Sequence, residues 1–197
     1  MAGRKLRIGV LALQGDFLEH KVALTALGIE VAEVRLPEQI DEIDGLIIPG
    51  GESTTIVQLL DIYGFRDDLI KRVRQGLPIW GTCAGMIVIA NQLTDQEPDP
   101  LRLMDIEVIR NGFGRQVDSF EQYVDIREIG NELFRAVFIR APIVKRVGKT
   151  VEVLASLDHH GPIAVRQNHI LATSFHPELT NDYRVHKLFV EMVKDVL

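Results

Sequence analysis

Apolar and polar positions follow two different rhythms along this chain, and the change comes near its middle. Residues 7–13, Arg7-Ile8-Gly9-Val10-Leu11-Ala12-Leu13, are a near-continuous apolar run, the pattern of a strand covered on both faces. Gln14-Gly15-Asp16 turns the chain. Asp16 is placed to cap a helix that buries Leu18, Val22, Leu24, Ala26 and Leu27 and stops at Gly28. A second strand is predicted over 29–36, ended by Pro37, then a short connection over 40–44. A third strand over 45–49 runs into Gly50-Gly51-Glu52-Ser53. Helices follow over 54–62, with Ile56, Val57, Leu59 and Leu60 available for a core, and over 65–74, closed by Gly76. A fourth strand over 77–80 leads through Gly81-Thr82-Cys83-Ala84-Gly85 into the helical apolar run 86–90. Alternating strands and helices imply right-handed βαβ units and an α/β fold with a parallel sheet between helices. Ligands of such sheets bind beyond the carboxyl ends of the strands. The turns at Gln14-Gly15, Gly50-Gly51 and Cys83 all fall at those ends.

The second half changes rhythm. Residues 94–100 are polar with two prolines and read as a surface loop. Stretches 104–109, 121–126, 137–141, 150–156 and 162–167 read as short strands, antiparallel or mixed additions to the parallel sheet. Residues 170–175 are a last apolar strand, delivering His176-Pro177-Glu178 at its end. Asn181-Asp182 then caps an amphipathic helix that uses Val185, Leu188, Phe189, Met192 and Val193. No repeat or long linker divides the chain, so residues 1–197 are expected to form one domain.

Composition narrows the function. The 197 residues are 46% hydrophobic, enough for a sizeable core. A net charge of −6 argues against nucleic acid as the main partner, and Lys71-Arg72-Val73-Arg74 reads as one exposed helix face. The basic start followed by apolar residues 6–13 resembles a signal peptide. Gln14-Gly15-Asp16 interrupts it, however, and no small-residue cleavage site follows. No apolar run approaches the length needed to span a membrane. The single cysteine excludes an intrachain disulfide and a multi-thiolate metal site, and a lone reactive thiol fits a reducing, cytoplasmic setting.

That cysteine lies in a strand–turn–helix context with a glycine two residues away on each side, the cysteine version of a nucleophile elbow. The first N–H groups of the following helix would favour thiolate there. Free cysteine is also commonly a small buried apolar residue; the flanking glycines and the context favour a nucleophile. In His176-Pro177-Glu178, an extended segment would put His176 and Glu178 on one face, so that the carboxylate accepts the ring N–H and holds one tautomer. A surface histidine beside a carboxylate is the plainer reading of this tripeptide alone. Gly50-Gly51 at a strand end could supply oxyanion donors, or could be a tight turn with Ser53 as helix cap. A phosphate loop is excluded because no G-x-x-x-x-G-K-[ST] pattern is present. His20, His169 and His186 are isolated from any liganding pattern, His159-His160 marks a turn, and no metal is expected. Trp80 reads as core.

Taken together, the Cys83 elbow, His176-Pro177-Glu178 and the Gly50-Gly51 turn resemble the class I (triad) glutamine amidotransferases. Leu13-Gln14-Gly15, Pro49 to Thr55, Arg110-Asn111-Gly112-Phe113-Gly114-Arg115-Gln116, Phe138-Ile139-Arg140-Ala141-Pro142 and Ser174 to Thr180 narrow the resemblance. They are similar to the glutaminase subunits of pyridoxal 5′-phosphate synthase, the PdxT family, over essentially the whole chain. The resemblance implies a flavodoxin-like three-layer α/β sandwich with a mostly parallel central sheet and added antiparallel strands. It implies hydrolysis of L-glutamine to L-glutamate and ammonia through a γ-glutamyl thioester, with no cofactor and no membrane. It also implies passage of ammonia to a PdxS-type synthase subunit in a hetero-oligomeric complex for vitamin B6 biosynthesis, and so both hydrolase and lyase vocabulary. By matched position Cys83 is the nucleophile, and His176 and Glu178 complete the triad. Gly51, Glu52, Ser53, Arg110, Ile139 and Arg140 match glutamine-binding positions. Backbone N–H groups near Gly51 and Ala84 would form the oxyanion hole, supported by Gln14 and Gly50. Three readings compete: a glutaminase for another synthase, a non-catalytic regulatory module, and a stress-type protein with a cysteine elbow. The intact Cys83, His176 and Glu178 oppose the second, and the third leaves His176-Pro177-Glu178 without a role.

Overall fold

The continuous apolar runs become the centre of the molecule. In the computed structural model, which describes residues 5–113 and 119–197, five strands pair in parallel. They are β1 (Arg7–Leu11), β2 (Glu30–Val34), β3 (Gly45–Ile48), β4 (Ile79–Thr82) and β12 (Ile170–Thr173), in the order β2-β1-β3-β4-β12. That is the flavodoxin-like strand order. Two antiparallel strands, β11 (Gly161–Gln167) and β10 (Glu152–Leu157), extend the β12 edge to give seven strands.

Side chains alternate across this sheet, so each strand feeds two cores. Leu46, Ile48, Ile79 and Ala172 face one side, with α2 (Ser53–Ile62), α3 (Phe65–Arg74) and α4 (Ala84–Ile89). Ile47, Trp80 and Leu171 face the other, with α1 (Phe17–Ala26) and α5 (Arg184–Lys194). Trp80 is fully buried, and its indole N–H donates to Thr173 Oγ1 at 3.1 Å. The result is a three-layer sandwich. No helix among the described residues is long and apolar enough to cross a membrane.

Several expectations need correction. Not all second-half strands join the main sheet. β6 (Met104–Ile109) pairs with β5 (Ala90–Leu93) and β9 (Ile143–Val147) in a three-stranded sheet, and β7 (Ser119–Val124) pairs with β8 (Phe134–Ile139) separately. The sequence pattern does not predict the strands at 90–93 and 143–147. In α1 the buried residues are His20, Ala23 and Leu24, whereas Leu18, Val22 and Ala26 face solvent. The helix is therefore rotated to aim a histidine at the core. Asp16 occupies the cap position of α1 without a side-chain cap hydrogen bond. Ser53 is not a cap either: Glu52 caps α2, accepting from the Thr55 N–H at 2.8 Å.

Candidate active site

Four chain segments meet beyond the carboxyl ends of β1, β3, β4 and β12. The sharpest follows β4. Cys83 has φ 48° and ψ −105°, a strained conformation for a non-glycine residue. Its surroundings impose that geometry. The Cys83 N–H continues the ladder to the Thr173 carbonyl at 2.8 Å, while its own carbonyl accepts from the Met86 N–H at 3.1 Å as α4 begins. A Cβ on Gly81 would overlap the Gly85 carbonyl, and one on Gly85 would overlap the Ile48 carbonyl. Only glycine at both positions lets α4 press onto the strands this closely. Cys83 is 6% exposed, and its Sγ lies 3.7 Å from the Ile139 carbonyl oxygen.

His176 follows β12, anchored by its N–H to the Val137 carbonyl at 2.8 Å. Pro177–Leu179 is a 3₁₀ turn rather than the extended segment expected from sequence. The expected contact is made all the same: His176 Nδ1 and Glu178 Oε1 are 2.7 Å apart, both side chains buried. Burial alone would hold the His176 ring below its ordinary value. Hydrogen bonds to Cys83 and Glu178, together with their charges, overcome it and lift the ring to about 10. Burial pushes the Glu178 carboxyl up, and the His176 hydrogen bond and charge pull it back down.

The Gly50-Gly51 turn after β3 packs against this pair. A Cβ on Gly50 would sit 2.8 Å from His176 Nδ1. Gln14, after β1, accepts the Glu52 N–H through Oε1 at 2.8 Å and so ties the first turn to the third. Arg110 reaches across from the end of β6. Its guanidinium donates to the Glu97 carbonyl at 2.9 Å and lies 3.3 Å from Glu52 Oε1.

These groups border a cleft of about 420 Å³, within the range of small-molecule sites. Of the residues singled out in the sequence, Gln14, Gly51, Glu52, Ser53, Cys83, Ala84, Arg110, Ile139, Arg140 and His176 line it. Glu178 and Gly50 stand behind His176 and do not. Arg140 is exposed, with φ 42°. Gly114, Arg115 and Gln116 of the Arg110–Gln116 motif lie outside the described residues.

Two groups near the site are not anticipated by the sequence. Asp16, expected to cap a helix, turns Oδ2 to within 3.5 Å of His176 Nδ1. Burial raises its carboxyl, the His176 charge lowers it and Glu19 raises it. Asp16, His176 and Glu178 are also the one cluster among the described residues whose ligand atoms could gather round a metal ion, within 4.8 Å of each other. A metal there would have to displace the Nδ1 contact to Glu178. Behind Glu178 lies a second group. His20 is fully buried, with Nε2 3.5 Å from Glu178 Oε2 and 3.2 Å from Thr82 Oγ1, and Nδ1 3.0 Å from His186 Nε2. Burial, then the His186 and His176 charges, pushes His20 well below its ordinary value; burial lowers His186 to about 3. Both rings are therefore neutral near pH 7. The sequence gives neither His20 nor His186 a place near the site; the fold puts both behind Glu178.

The family model of the SNO glutamine amidotransferase family matches residues 10–195. The chain is 49% identical over 189 residues to the pyridoxal 5′-phosphate synthase subunit PdxT of Thermotoga petrophila, covering 96% of this chain and all of that protein. It is 54% identical to the PdxT subunit of Mycobacteroides abscessus, covering 95% of this chain and 97% of the relative. Among solved structures, one described as a glutamine amidotransferase superposes with a TM-score of 0.88 at 50% identity, covering 95% of this chain and 98% of the other. A putative GMP synthase subunit from Thermoplasma acidophilum, at 18% identity and a TM-score of 0.71 over 98% of this chain and 96% of that one, shares the fold. Lyase vocabulary finds no support in these matches, because the matched family is one of amidotransferases. With a family model covering nearly its whole length and relatives at about half identity, the chain belongs to the SNO glutamine amidotransferase family.

Proposed function

We propose that this chain is the glutaminase subunit of a pyridoxal 5′-phosphate synthase, hydrolysing L-glutamine to L-glutamate and ammonia for a PdxS-type synthase subunit. One observation carries the chemical reading. The only cysteine sits on a strained strand-to-helix turn and lines one cleft with a histidine, near enough to raise that ring's affinity for a proton, and the histidine's Nδ1 is 2.7 Å from a buried carboxylate. A nucleophile, a base and a group that orients the base are what acyl transfer requires. The names of the relatives support the choice of synthase.

Glu178 holds the Nδ1–H tautomer of His176, which leaves Nε2 to exchange a proton with Cys83. His176 takes up the Cys83 proton, on substrate binding or already at rest, and its raised affinity for a proton favours that transfer. The thiolate attacks the side-chain amide carbon of glutamine. Backbone N–H groups at Gly51 and Ala84 hold the oxyanion; Ala84 opens α4, where the first N–H groups have no partner within the helix. His176 protonates the departing nitrogen, ammonia leaves, and a γ-glutamyl thioester remains on Cys83. Water, activated by the same imidazole, releases glutamate and regenerates the thiol. These steps call for no cofactor. Arg110 and Arg140 face the substrate carboxylate from the cleft wall, and Glu52, Ser53 and the Ile139 backbone fix its other end. We take residues 1–197 as one glutaminase domain acting in the cytoplasm with the synthase subunit, free of nucleic acid and membrane.

The test is glutamate release by the complex with its synthase subunit, for wild type, Cys83→Ala and Cys83→Ser. Both variants should be inactive while keeping the wild-type fold, and a diazo-ketone analogue of glutamine should label Cys83. Turnover by Cys83→Ala would overturn the assignment.

A further inference from the structure

The triad does not end at Glu178. Its Oε1 is taken by His176, while Oε2 is buried and has no hydrogen-bond partner among the described residues. His20 Nε2 lies 3.5 Å from it, and that same nitrogen is 3.2 Å from Thr82 Oγ1. Thr82 is the residue before the nucleophile. At the far side of the His20 ring, Nδ1 meets His186 Nε2 at 3.0 Å, and the remaining nitrogen, His186 Nδ1, is buried with no hydrogen-bond partner among the described residues.

These contacts favour one direction for the protons. Each neutral imidazole carries one N–H, so two arrangements are available. If His20 carries its proton on Nδ1, it donates to His186 Nε2, and His186 must carry its own proton on Nδ1. That leaves a buried N–H with no acceptor and sets the bare Nε2 of His20 against the bare Oε2 of Glu178. If His20 carries its proton on Nε2, that N–H points toward Thr82 and Glu178, and Nδ1 accepts from His186 Nε2–H. The one unpartnered atom is then a lone pair on His186 Nδ1. Orphaned buried donors are rarer than orphaned acceptors, so the second arrangement is favoured.

We infer that His20 is a positioning residue for the hydrolysis: its Nε2–H, oriented by His186, faces Glu178 Oε2 and keeps Oε1 on His176. The inference rests on the glutaminase reading above and deepens it. A buried carboxylate held at one oxygen only can rotate about its terminal bond. An N–H dipole 3.5 Å from the other oxygen, beyond hydrogen-bond length and shared with Thr82 Oγ1, opposes that rotation electrostatically and so limits the error in aiming His176. Its packing fits the role: the ring stands edge-on to Trp80 at 5.5 Å between centroids, and Trp80 does the same to His186 at 5.0 Å.

The experiment has two arms. In wild-type protein labelled with ¹⁵N-histidine, His20 should show the neutral Nε2–H tautomer. A proton on Nδ1 would overturn the inference, whether or not any variant folds. In the complex with the synthase subunit, kcat is then measured per alkylatable Cys83 alongside KM. Groups that orient a metal-bound histidine contribute about 10–100-fold, and the same order is expected for one that orients a triad carboxylate. His20→Leu should therefore lose about that much in kcat with KM little changed, and His20→Gln, whose amide N–H can reach Glu178, should recover most of it. A wild-type kcat in His20→Leu, or equal losses in both variants, would overturn the positioning role. A wild-type complex that releases no glutamate would overturn the glutaminase reading instead, and the tautomer measurement would still decide which way His20 donates.

Discussion

Gly50→Ala is a clean perturbation of the proposed triad because it alters packing alone. The backbone at Gly50 is outside the left-handed region, so alanine brings no conformational strain. The added methyl group meets His176 Nδ1 at 2.8 Å and Asp16 Oδ2 at 3.2 Å, with the ring carbon Cε1 closer still, where ordinary contact starts at 3.4 Å. The ring must therefore retreat by about 0.6 Å at Nδ1 and by more at Cε1. It has no slack: Nδ1 is already 2.7 Å from a buried Glu178, and the His176 N–H is tied to Val137. Overpacking of this kind costs about 1–3 kcal/mol of stability. A displacement approaching 1 Å at a reacting group costs about 10²-fold in rate. Urea denaturation should show that modest loss, and glutamate release by the synthase complex should show kcat reduced about 10²-fold with a smaller change in KM. A Gly50→Ala protein that turns over at the wild-type rate would refute the claim that this turn fixes the histidine.

Other expectations follow from the same geometry. Glu178→Gln should keep glutamine binding and lose about 10²–10⁴-fold in kcat, read by steady-state kinetics; a normal rate would mean another acceptor holds His176. Neutralising Arg110 or Arg140 should raise KM for glutamine with little effect on melting temperature, and unchanged kinetics in both variants would remove them from the substrate site. Activity should be low for the isolated chain and rise on titration with synthase subunit. Gln14→Ala should blunt that rise, because the Gln14 side chain holds the Glu52 N–H beside the turn proposed to supply an oxyanion donor; an isolated chain as fast as the complex would contradict this. His186 is lowered to about 3, so on acidification the unfolded chain takes up its proton first. Its contribution is present above about pH 6.5 and is lost as pH falls toward 3, by up to about 1.4 kcal/mol per pH unit. The stability lost between pH 7.5 and 5, measured by urea denaturation, should be about 2 kcal/mol smaller in His186→Leu than in wild type.

What can be read in advance depends on how local the signal is. Parallel strands buried on both faces are continuous apolar runs, so β1, β3 and β12 stand out in the sequence, and the alternation of β6 gives its bounds directly. β9 hides because Lys145 and Arg146 occupy exposed positions and leave only a broken pattern. β5 follows α4 without a turn residue between them. In α1 the apolar count misleads: Leu18 and Val22 are 54% and 62% exposed, while a histidine takes the buried face. The same locality governs the candidate site. His176 and Glu178 are two residues apart and Cys83 sits in a recognisable turn, so their chemistry is legible. His20 meets Thr82 and His186 across 62 and 166 residues, a juxtaposition that only the folded sheet creates. Asp16 reads as a cap because it precedes a helix, and nothing nearby in sequence tells of the histidine it faces.

The most direct test of the central claim is to look for the covalent intermediate itself. The complex of this chain with its synthase subunit is mixed with glutamine, quenched in acid within a turnover, digested, and analysed by mass spectrometry. The account predicts one glutamyl group in thioester linkage on the peptide containing Cys83, present during turnover and absent in Cys83→Ala. Steady glutamine hydrolysis with an unmodified Cys83 peptide, or with the glutamyl group on another residue, would contradict it.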